Sequence, residues 1–284
     1  MSPTASGAGT AFSIAIPVLL LAGILAVLGD QSGLVRIPRI TAAAEIGPEL
    51  VTIASRAYTY RPSGEFLSGR ASMDAPLVEV TAPQSLDIMK FEVRAADYAR
   101  CVADKACERA DPRRRGKGDV PVTGVSFDDA AAYASWLSAR TGDNWRLPTI
   151  AEWTFAAGSK AADVALGLVP DAGDPAARWL ASYERESTLG DGALAAPSPL
   201  GSFGVNEFGV ADLAGPVWEW TASCGGRTTL SPSGDLLSHL DSCGVHYLEG
   251  RHRAQMSNFV RDAIGGGCSA GTPPDNLGFR LVRD

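Results

Sequence analysis

Residues 208–221 read FGVADLAGPVWEWT, a stretch in which two tryptophans flank a single acid. Large aromatic side chains dominate the burial of small folds, so we assign Trp218 and Trp220 to a core. Glu219, held between them, would then be buried, and a buried carboxylate needs a partner such as an arginine. Trp136, Trp145 and Trp153 are assigned to the same kind of environment. The stretch therefore predicts the centre of a folded domain.

The composition favours a loop-rich globular protein. The chain has 284 residues, of which 45% are hydrophobic, which excludes an intrinsically disordered tail. Its 31 glycines and 18 prolines together make up a larger share of the chain than the roughly 12% that these two residues contribute on average, so we expect many turns. A net charge of -7 argues against a nucleic-acid partner. With 3 histidines and no His-Glu-x-x-His motif, a zinc protease of that type is excluded.

The amino-terminal segment is apolar enough to cross a membrane. Residues 11–29 carry no charge, and at about 1.5 Å per residue they would span a hydrocarbon core of about 30 Å. The segment is longer than the apolar part of most signal peptides, and no clear cleavage site follows it. We predict a transmembrane anchor or signal in residues 1–30, preferring the anchor. A tether with the first strands follows over 31–75, and one domain over 76–284.

The cysteines and the arginines give opposite indications of compartment. Arg36 and Arg39 follow the apolar run and would place the rest of the chain in the cytoplasm. The 5 cysteines contain no Cys-x-x-Cys pair, and their spacing suits disulfides in an oxidising compartment. We give the cysteines more weight, and predict that the domain lies on the periplasmic side of the inner membrane.

Four cysteines allow three connectivities and any of the five may be left over, so several pairings remain open. Our choice joins Cys101 to Cys107 and Cys224 to Cys243, which leaves Cys268. A bond between Cys101 and Cys107 requires the helix expected over 95–102 to end between them, because a longer helix would hold the two residues too far apart.

Local patterns predict several further elements. Residues 77–93 indicate two strands around Pro83. Capping boxes at Ser126 with Asp129 and at Thr149 with Glu152 predict two helix starts, and Gly142 and Gly158 predict the ends. In residues 277–282 every second residue is a large apolar one, which predicts a closing strand with one buried face. Residues 158–205 show no such pattern and suggest irregular structure.

Three sequence motifs occur in this chain in the same order as in a known family. They are residues 121–137 leading into 146–153, residues 208–221, and the sequence NLGFR at 276–280. Together they resemble the formylglycine-generating enzyme, or sulfatase-modifying factor, family. The resemblance implies a single α+β domain with a C-type-lectin-like core of the formylglycine-generating-enzyme type, rich in loops.

The family's best-known activity oxidises a sulfatase cysteine to formylglycine with oxygen and a copper(I) ion held by two cysteines. The matching stretch here, residues 247–259, contains no cysteine, so we doubt a copper cofactor. The catalytic residues are therefore unknown from sequence. His252 and Met256, four residues apart, and Cys268 are the candidates for a rebuilt site.

The resemblance also implies structural calcium. The matching ligands of one ion are Asp212, Gly215, Val217 and Glu219, which would supply the carboxylate and carbonyl oxygens that calcium prefers. The alternative for Glu219 is a buried acid paired with an arginine. A second, weaker ion site would fall at Tyr183, Asp191 and Ala193.

Cysteine-poor members of the family include accessory proteins associated with copper nitrite reductases. We therefore expect an exported, membrane-anchored accessory or maturation protein without the copper–thiolate oxidase site. Its partner would be a protein on the exported side, with a periplasmic metalloenzyme as one candidate. Two alternatives stay open: a protein-modifying oxidoreductase with a rearranged metal site, using oxygen on a protein cysteine, and a lectin-like binding module.

Overall fold

The domain is mixed α/β and consists mostly of short strands and helices, with one long hairpin formed by β8 and β9. The computed structural model describes residues 47–168, 177–188, 195–266 and 276–284. The strands are β1 Leu50–Ile53, β2 Ala57–Tyr60, β3 Glu65–Ser68, β4 Ala71–Met73, β5 Val78–Thr81, β6 Leu86–Met89, β7 Trp145–Arg146, β8 Trp218–Leu230, β9 Leu236–Glu249, β10 Ala254–Ser257, β11 Leu277–Gly278 and β12 Val282–Arg283. The helices are α1 Ala95–Ala103, α2 Phe127–Thr141, α3 Ile150–Ala157, α4 Ala177–Thr188 and α5 Ala263–Gly266.

Three predictions fall on residues outside these ranges. They are the anchor or signal of residues 1–30, the calcium ligands Asp191 and Ala193, and Cys268. Within the described ranges, no helix has both the length and the apolar character needed to span a membrane.

The sheets bring distant parts of the chain together. An antiparallel sheet has the order β1-β6-β12-β7, so that β12, late in the chain, lies between two earlier strands. A second, curled sheet has the order β10-β9-β8-β3-β4, and β11 pairs in parallel with β8. The remaining pair is β2 with β5. Of the strands in residues 50–73, β1 pairs with β6 and β3 pairs with β8, so both belong to the sheets of the domain.

Both predicted capping boxes are confirmed. The Ser126 hydroxyl accepts the Asp129 amide at 3.1 Å, and the Asp129 carboxylate accepts the Ser126 amide at 2.9 Å. Thr149 and Glu152 make the same exchange at the start of α3. Gly142 ends α2 with a φ of 82°, a left-handed conformation that costs glycine little.

The structure contains both disulfides that we chose. Cys101 is bonded to Cys107, with 5.3 Å between their Cα atoms, and Cys224 to Cys243. Helix α1 ends at Ala103, between the first two cysteines, as the bond requires.

Two expectations from the sequence were wrong. Residues 277–282 form two strands of different sheets rather than one strand, and both faces are buried because Arg280 turns inward. The region 158–205 contains helix α4, which we did not predict. Its apolar residues Trp179 and Tyr183 stack on each other while remaining half exposed, so they give no pattern of a buried face.

Arg280 lies at the centre of the domain and is completely buried, with 0% of its surface exposed. Its Nε and one terminal nitrogen bind the two carboxylate oxygens of Glu219 at 2.5 and 2.7 Å. The indole of Trp153 donates a further hydrogen bond to Glu219 at 3.0 Å. The acid between the two tryptophans is therefore paired with an arginine.

The remaining N–H groups of Arg280 bind backbone carbonyls of Met89, Lys90 and Ala211, at 3.0 to 3.3 Å. A guanidinium has five N–H groups, and each finds an acceptor here. One side chain thus holds together β6, β8 and the segment before β8.

We predict that Arg280→Met destabilises the domain by about 3–5 kcal/mol, because it leaves the Glu219 carboxylate buried without its cation. The matched control is Arg227→Met, since the Arg227 side chain is 61% exposed although it pairs with Glu65 at 2.7 Å. Exposed pairs of this kind contribute about 0–1 kcal/mol. Urea unfolding of both variants measures the difference, and equal small losses would contradict the central role of Arg280.

Candidate functional site

A positively charged cleft of about 380 Å³ is the candidate binding site. Its walls come from α4, β4 and the turn between β9 and β10, and from the loop at 163–168. The charged residues that line it are Arg61, Glu65, Asp74, Arg178, Arg185 and Arg253, and Tyr247 and His252 are among its uncharged polar residues. The cleft is thus built by elements that lie far apart in sequence.

Helix α4 contributes one polar face to the cleft. Arg178, Ser182 and Arg185 lie at the i, i+4 and i+7 positions that share a helix face. Arg178 donates to the Met73 carbonyl at 2.9 Å, and Arg185 donates to the carbonyls of Asp163 and Ala165. These bonds hold the helix against β4 and the loop. All of these acceptors are neutral, and among the described residues no carboxylate pairs with Arg178 or Arg185.

The acids at the cleft already have partners. Asp74 accepts three backbone N–H groups, those of residues 166 to 168, at 2.7 to 3.0 Å. Glu65 binds Arg227 outside the cleft lining. Arg61 pairs with Asp163, and Arg253 with a buried glutamate at 2.6 Å. Among the described residues, the cleft arginines without an acidic partner are therefore the two of α4. Their positive charge favours an anionic ligand.

His252 is the most unusual group in the cleft. Only 6% of its surface is exposed, and its Nε2 is buried without a hydrogen-bond partner. Burial, with smaller contributions from Arg185 and Arg251, lowers the pKa of His252 to about 4, so the ring is neutral at neutral pH. The Nε of Arg178 is likewise buried without a partner.

The turn that carries His252 is fixed by Trp218. The Trp218 indole donates to the His252 carbonyl at 2.9 Å, and its ring lies edge-on to the imidazole. Gly250 lies so close to the same ring that a Cβ there would approach it to 2.8 Å, so a larger residue would displace the turn. Since buried polar atoms in folded proteins are nearly always satisfied, the orphan atoms of His252 and Arg178 make this part of the cleft a candidate site for a ligand with acceptor oxygens.

The structure places the other predicted catalytic candidate apart from this histidine. Met256 lies on β10 and is buried in the main apolar core, whereas His252 lines the cleft. Cys268 lies outside the described residues. Within the part of the chain that the structure describes, no cluster of three or more His, Cys, Asp or Glu side chains could hold a metal ion.

The residues predicted to bind the first calcium ion already have other contacts. Both oxygens of Glu219 face the Arg280 cation, and the Asp212 carboxylate accepts the amides of Gly201 and Phe203 at 2.5 and 2.8 Å. As the side chains stand, they do not fit a calcium ion, because the guanidinium occupies the position of a cation. Calcium at Asp212, Gly215, Val217 and Glu219 stays a prediction, and it would require Arg280 to leave Glu219.

Of the second predicted ion site only Tyr183 lies within the described residues. Its side chain is half exposed and stacks on Trp179, with 5.7 Å between ring centroids. Elsewhere in the domain, Arg146 and Glu152 form a two-point ion pair at 2.6 and 2.8 Å.

The arginines of α4 were missed because the stretch around them is rich in glycine, proline and alanine. The signal that could have identified them is the spacing of Arg178, Ser182 and Arg185, which fits one helix face. The orphan state of His252 has no sequence signal, since it depends on which side chains surround the ring.

Comparison with known proteins identifies the family of this fold. The sequence model of the sulfatase-modifying factor enzyme 1-like domain matches residues 45–284. The formylglycine-generating enzyme of Mycobacterium tuberculosis (strain H37Rv) is 41% identical over 108 residues, which are 36% of this chain and 33% of that protein. The inactive C-alpha-formylglycine-generating enzyme 2 of Mus musculus is 33% identical over 176 residues, 59% of this chain and 50% of that protein.

The chain thus spans only a third to a half of the length of these relatives. Among solved structures, PvdO from Pseudomonas aeruginosa superposes with a TM-score of 0.52 at 22% identity, covering 84% of this chain and 94% of that one. This likeness concerns the fold alone.

We predict that His252 makes the protein less stable in acid. Its pKa is about 6.5 when unfolded and about 4 when folded, so the stability that comes from burying the neutral ring is present above about pH 6.5 and is lost as the pH falls towards 4. Between pH 7 and 4.5 the expected loss from this group is about 2–3 kcal/mol. His252→Gln should remove it, whereas His239→Gln, at an exposed histidine, should not. Urea unfolding at both pH values tests this, and equal slopes for all three proteins would contradict it.

Proposed function

The chain belongs to the sulfatase-modifying factor enzyme 1-like family, and from this premise we propose that it is an exported accessory protein that binds a protein partner without a copper–thiolate oxidase site. The distribution of thiols carries the proposal. Of its 5 cysteines, four form the two disulfides, and residues 247–259 hold none. Only Cys268 remains, and one thiolate does not make the soft two-sulfur site that copper(I) needs.

Two further observations support this assignment. The disulfides suit an oxidising compartment, and with the apolar residues 11–29 they favour a periplasmic domain anchored in the inner membrane. The mouse relative is named an inactive formylglycine-generating enzyme, so a member of this family without the oxidase activity would not be an isolated case.

The positively charged cleft is the place where we propose that the partner binds. Arg178 and Arg185 present positive charge that no acidic side chain of the described residues neutralises, and the Nε atom of Arg178 and the Nε2 atom of His252 are buried without acceptors. Carboxylates of an acidic segment of the partner would accept from these groups in a partly buried site. Such charge-assisted hydrogen bonds are stronger than neutral ones.

We predict that the full-length protein, purified without reductant and unfolded in a thiol reagent, shows one reactive thiol per chain. With copper(I) and a cysteine-containing sulfatase peptide, it should consume no more oxygen than a sample without protein. Stoichiometric copper with turnover of the peptide would overturn the proposal and favour an oxidoreductase with a rearranged metal site. Calcium-dependent binding to a glycan array would instead favour the lectin-like module.

We predict that the wild-type protein binds an oligoglutamate peptide in preference to oligoglutamine, and that added salt weakens the binding. Arg185→Gln should weaken it about tenfold, the effect of losing one charged hydrogen bond. Arg251→Gln is the matched control, because Arg251 is close to His252 but does not line the cleft. Fluorescence anisotropy measures both. Equal weakening by the two variants would show general charge attraction and would contradict binding in the cleft.

A further inference from the structure

The Cys224–Cys243 disulfide joins β8 to β9 where their pairing is irregular. Cys224 lies opposite His246, but the next residue, Gly225, lies opposite Ser242, so that residues 243–245 bulge out of the ladder. Cys243 is exposed, like the residues of β9 that precede it, whereas Cys224 is partly buried. The two cysteines of this bond are therefore unequally exposed. Bulges are often found next to active sites.

A histidine lies beside the less accessible sulfur. The Nε2 of His246 is 3.7 Å from the Sγ of Cys224. The ring is buried and stacks on Phe127, with 3.6 Å between ring centroids, which fixes the plane of the imidazole. His246 cannot easily turn away from the sulfur.

Asn258 determines which nitrogen of His246 carries the proton. Its Nδ2 donates to the carbonyl of Cys243 at 2.9 Å, so its Oδ1 is the atom that faces the Nδ1 of His246 at 2.7 Å. An amide oxygen only accepts, and Nδ1 must therefore be the donor. In the neutral ring this leaves the lone pair on Nε2, the nitrogen that faces Cys224.

We propose that Cys224, His246 and Asn258 form a thiol–disulfide exchange site whose substrates are dithiols. Cys224 and His246 take part in the reaction, while Asn258 positions the ring and acts through it. The order cysteine, histidine and amide is also that of cysteine nucleophiles activated by histidine in unrelated folds. This activity goes beyond partner binding and uses none of the residues that line the cleft.

The reaction begins at the exposed sulfur. A substrate thiol gives up its proton, and its sulfur attacks the Sγ of Cys243 in line with the disulfide, from the side opposite Cys224. The Nε2 of His246, which faces Cys224, takes up a proton as the bond breaks. The bond between the two cysteine sulfurs breaks, and its electron pair leaves on Cys224 as a thiolate beside the imidazolium. A leaving thiolate stabilised in this way leaves faster.

The second step releases the oxidised substrate. The other thiol of the substrate attacks its own sulfur in the mixed disulfide and releases Cys243 as a thiol. The substrate is oxidised to a disulfide by two electrons, and the pair Cys224 and Cys243 is reduced by the same two electrons. The dithiol is the only co-reactant required.

The second disulfide of the chain provides a control within the same molecule. Cys101 and Cys107 are 0% and 8% exposed, so neither sulfur is open to attack, and both belong to the apolar core. No substitution is needed to compare the two bonds.

The test treats the full-length oxidised protein with dithiothreitol at neutral pH, traps free thiols with iodoacetamide at intervals, and measures each cysteine by mass spectrometry. We expect Cys224–Cys243 to open at least about tenfold faster than Cys101–Cys107, since thiol access governs exchange. Equal rates for the two bonds in the folded wild-type protein would overturn the proposal, whatever the behaviour of the variants.

The contribution of the histidine is tested in a Cys243→Ser background, where Cys224 is free. His246→Gln should slow alkylation of Cys224 about tenfold, because less of the sulfur is thiolate. His239→Gln is the matched control on the same hairpin, since His239 is exposed and binds Thr228 and Asp241. An unchanged rate in His246→Gln would remove His246 from the site.

Asn258 requires a readout that reports on the ring itself. Nitrogen NMR of His246 should show a proton on Nδ1 in the oxidised wild-type protein. Asn258→Ala should lose this signature, whereas Asn258→Asp, which keeps an acceptor oxygen, should retain it. A signature that persists in Asn258→Ala would overturn the positioning role of Asn258.

Discussion

The domain is organised around the burial of one charge. Arg280 is inaccessible to solvent, so each of its N–H groups must find an acceptor in the protein, and the acceptors come from β6, β8 and the segment before β8. Replacing such a pair by apolar groups of the same shape often costs nothing, so its value lies less in stability than in allowing one arrangement of these segments. Glu92 lies 3.8 Å away, and burial raises its pKa to about 8, which agrees with one cation balancing one carboxylate.

The parts of the fold that sequence predicts are those decided within a few residues. The capping boxes of α2 and α3 depend on residues three positions apart, and the end of α1 depends on two cysteines six positions apart; all are confirmed. The inward turn of Arg280 depends on Glu219, 61 residues earlier, and the alternation around it favoured a one-sided strand instead. The choice between calcium and arginine at Glu219 was open for the same reason. Helix α4 was not predicted because its polar face, rather than an apolar one, packs against the protein.

The long β8–β9 hairpin connects the two sites for which we propose chemistry. Its irregular part carries Cys224 and His246, and the turn after it carries His252, whose imidazole lies against Trp218 at the start of β8. His246 and His252 differ in whether their ring nitrogens have hydrogen-bond partners. His246 has partners on both ring nitrogens, so its protonation is directed, whereas the Nε2 of His252 has none and awaits an acceptor from outside. Residues 247–259 contain no thiol, and they carry His252 at the cleft where we propose that a partner binds.

The position of β12 has a consequence for how the protein is made. Its two residues fill the gap between β6 and β7, so the first sheet cannot close until residue 283 has left the ribosome. Arg280, needed to neutralise Glu219, arrives at nearly the same moment. Synthesis proceeds from the amino terminus, and most domains fold as units. The first sheet therefore closes late in synthesis, whereas the Cys101–Cys107 loop and the β8–β9 hairpin need no residue after 249. Late closure of this sheet delays the completion of the fold, which is compatible with the export that we propose.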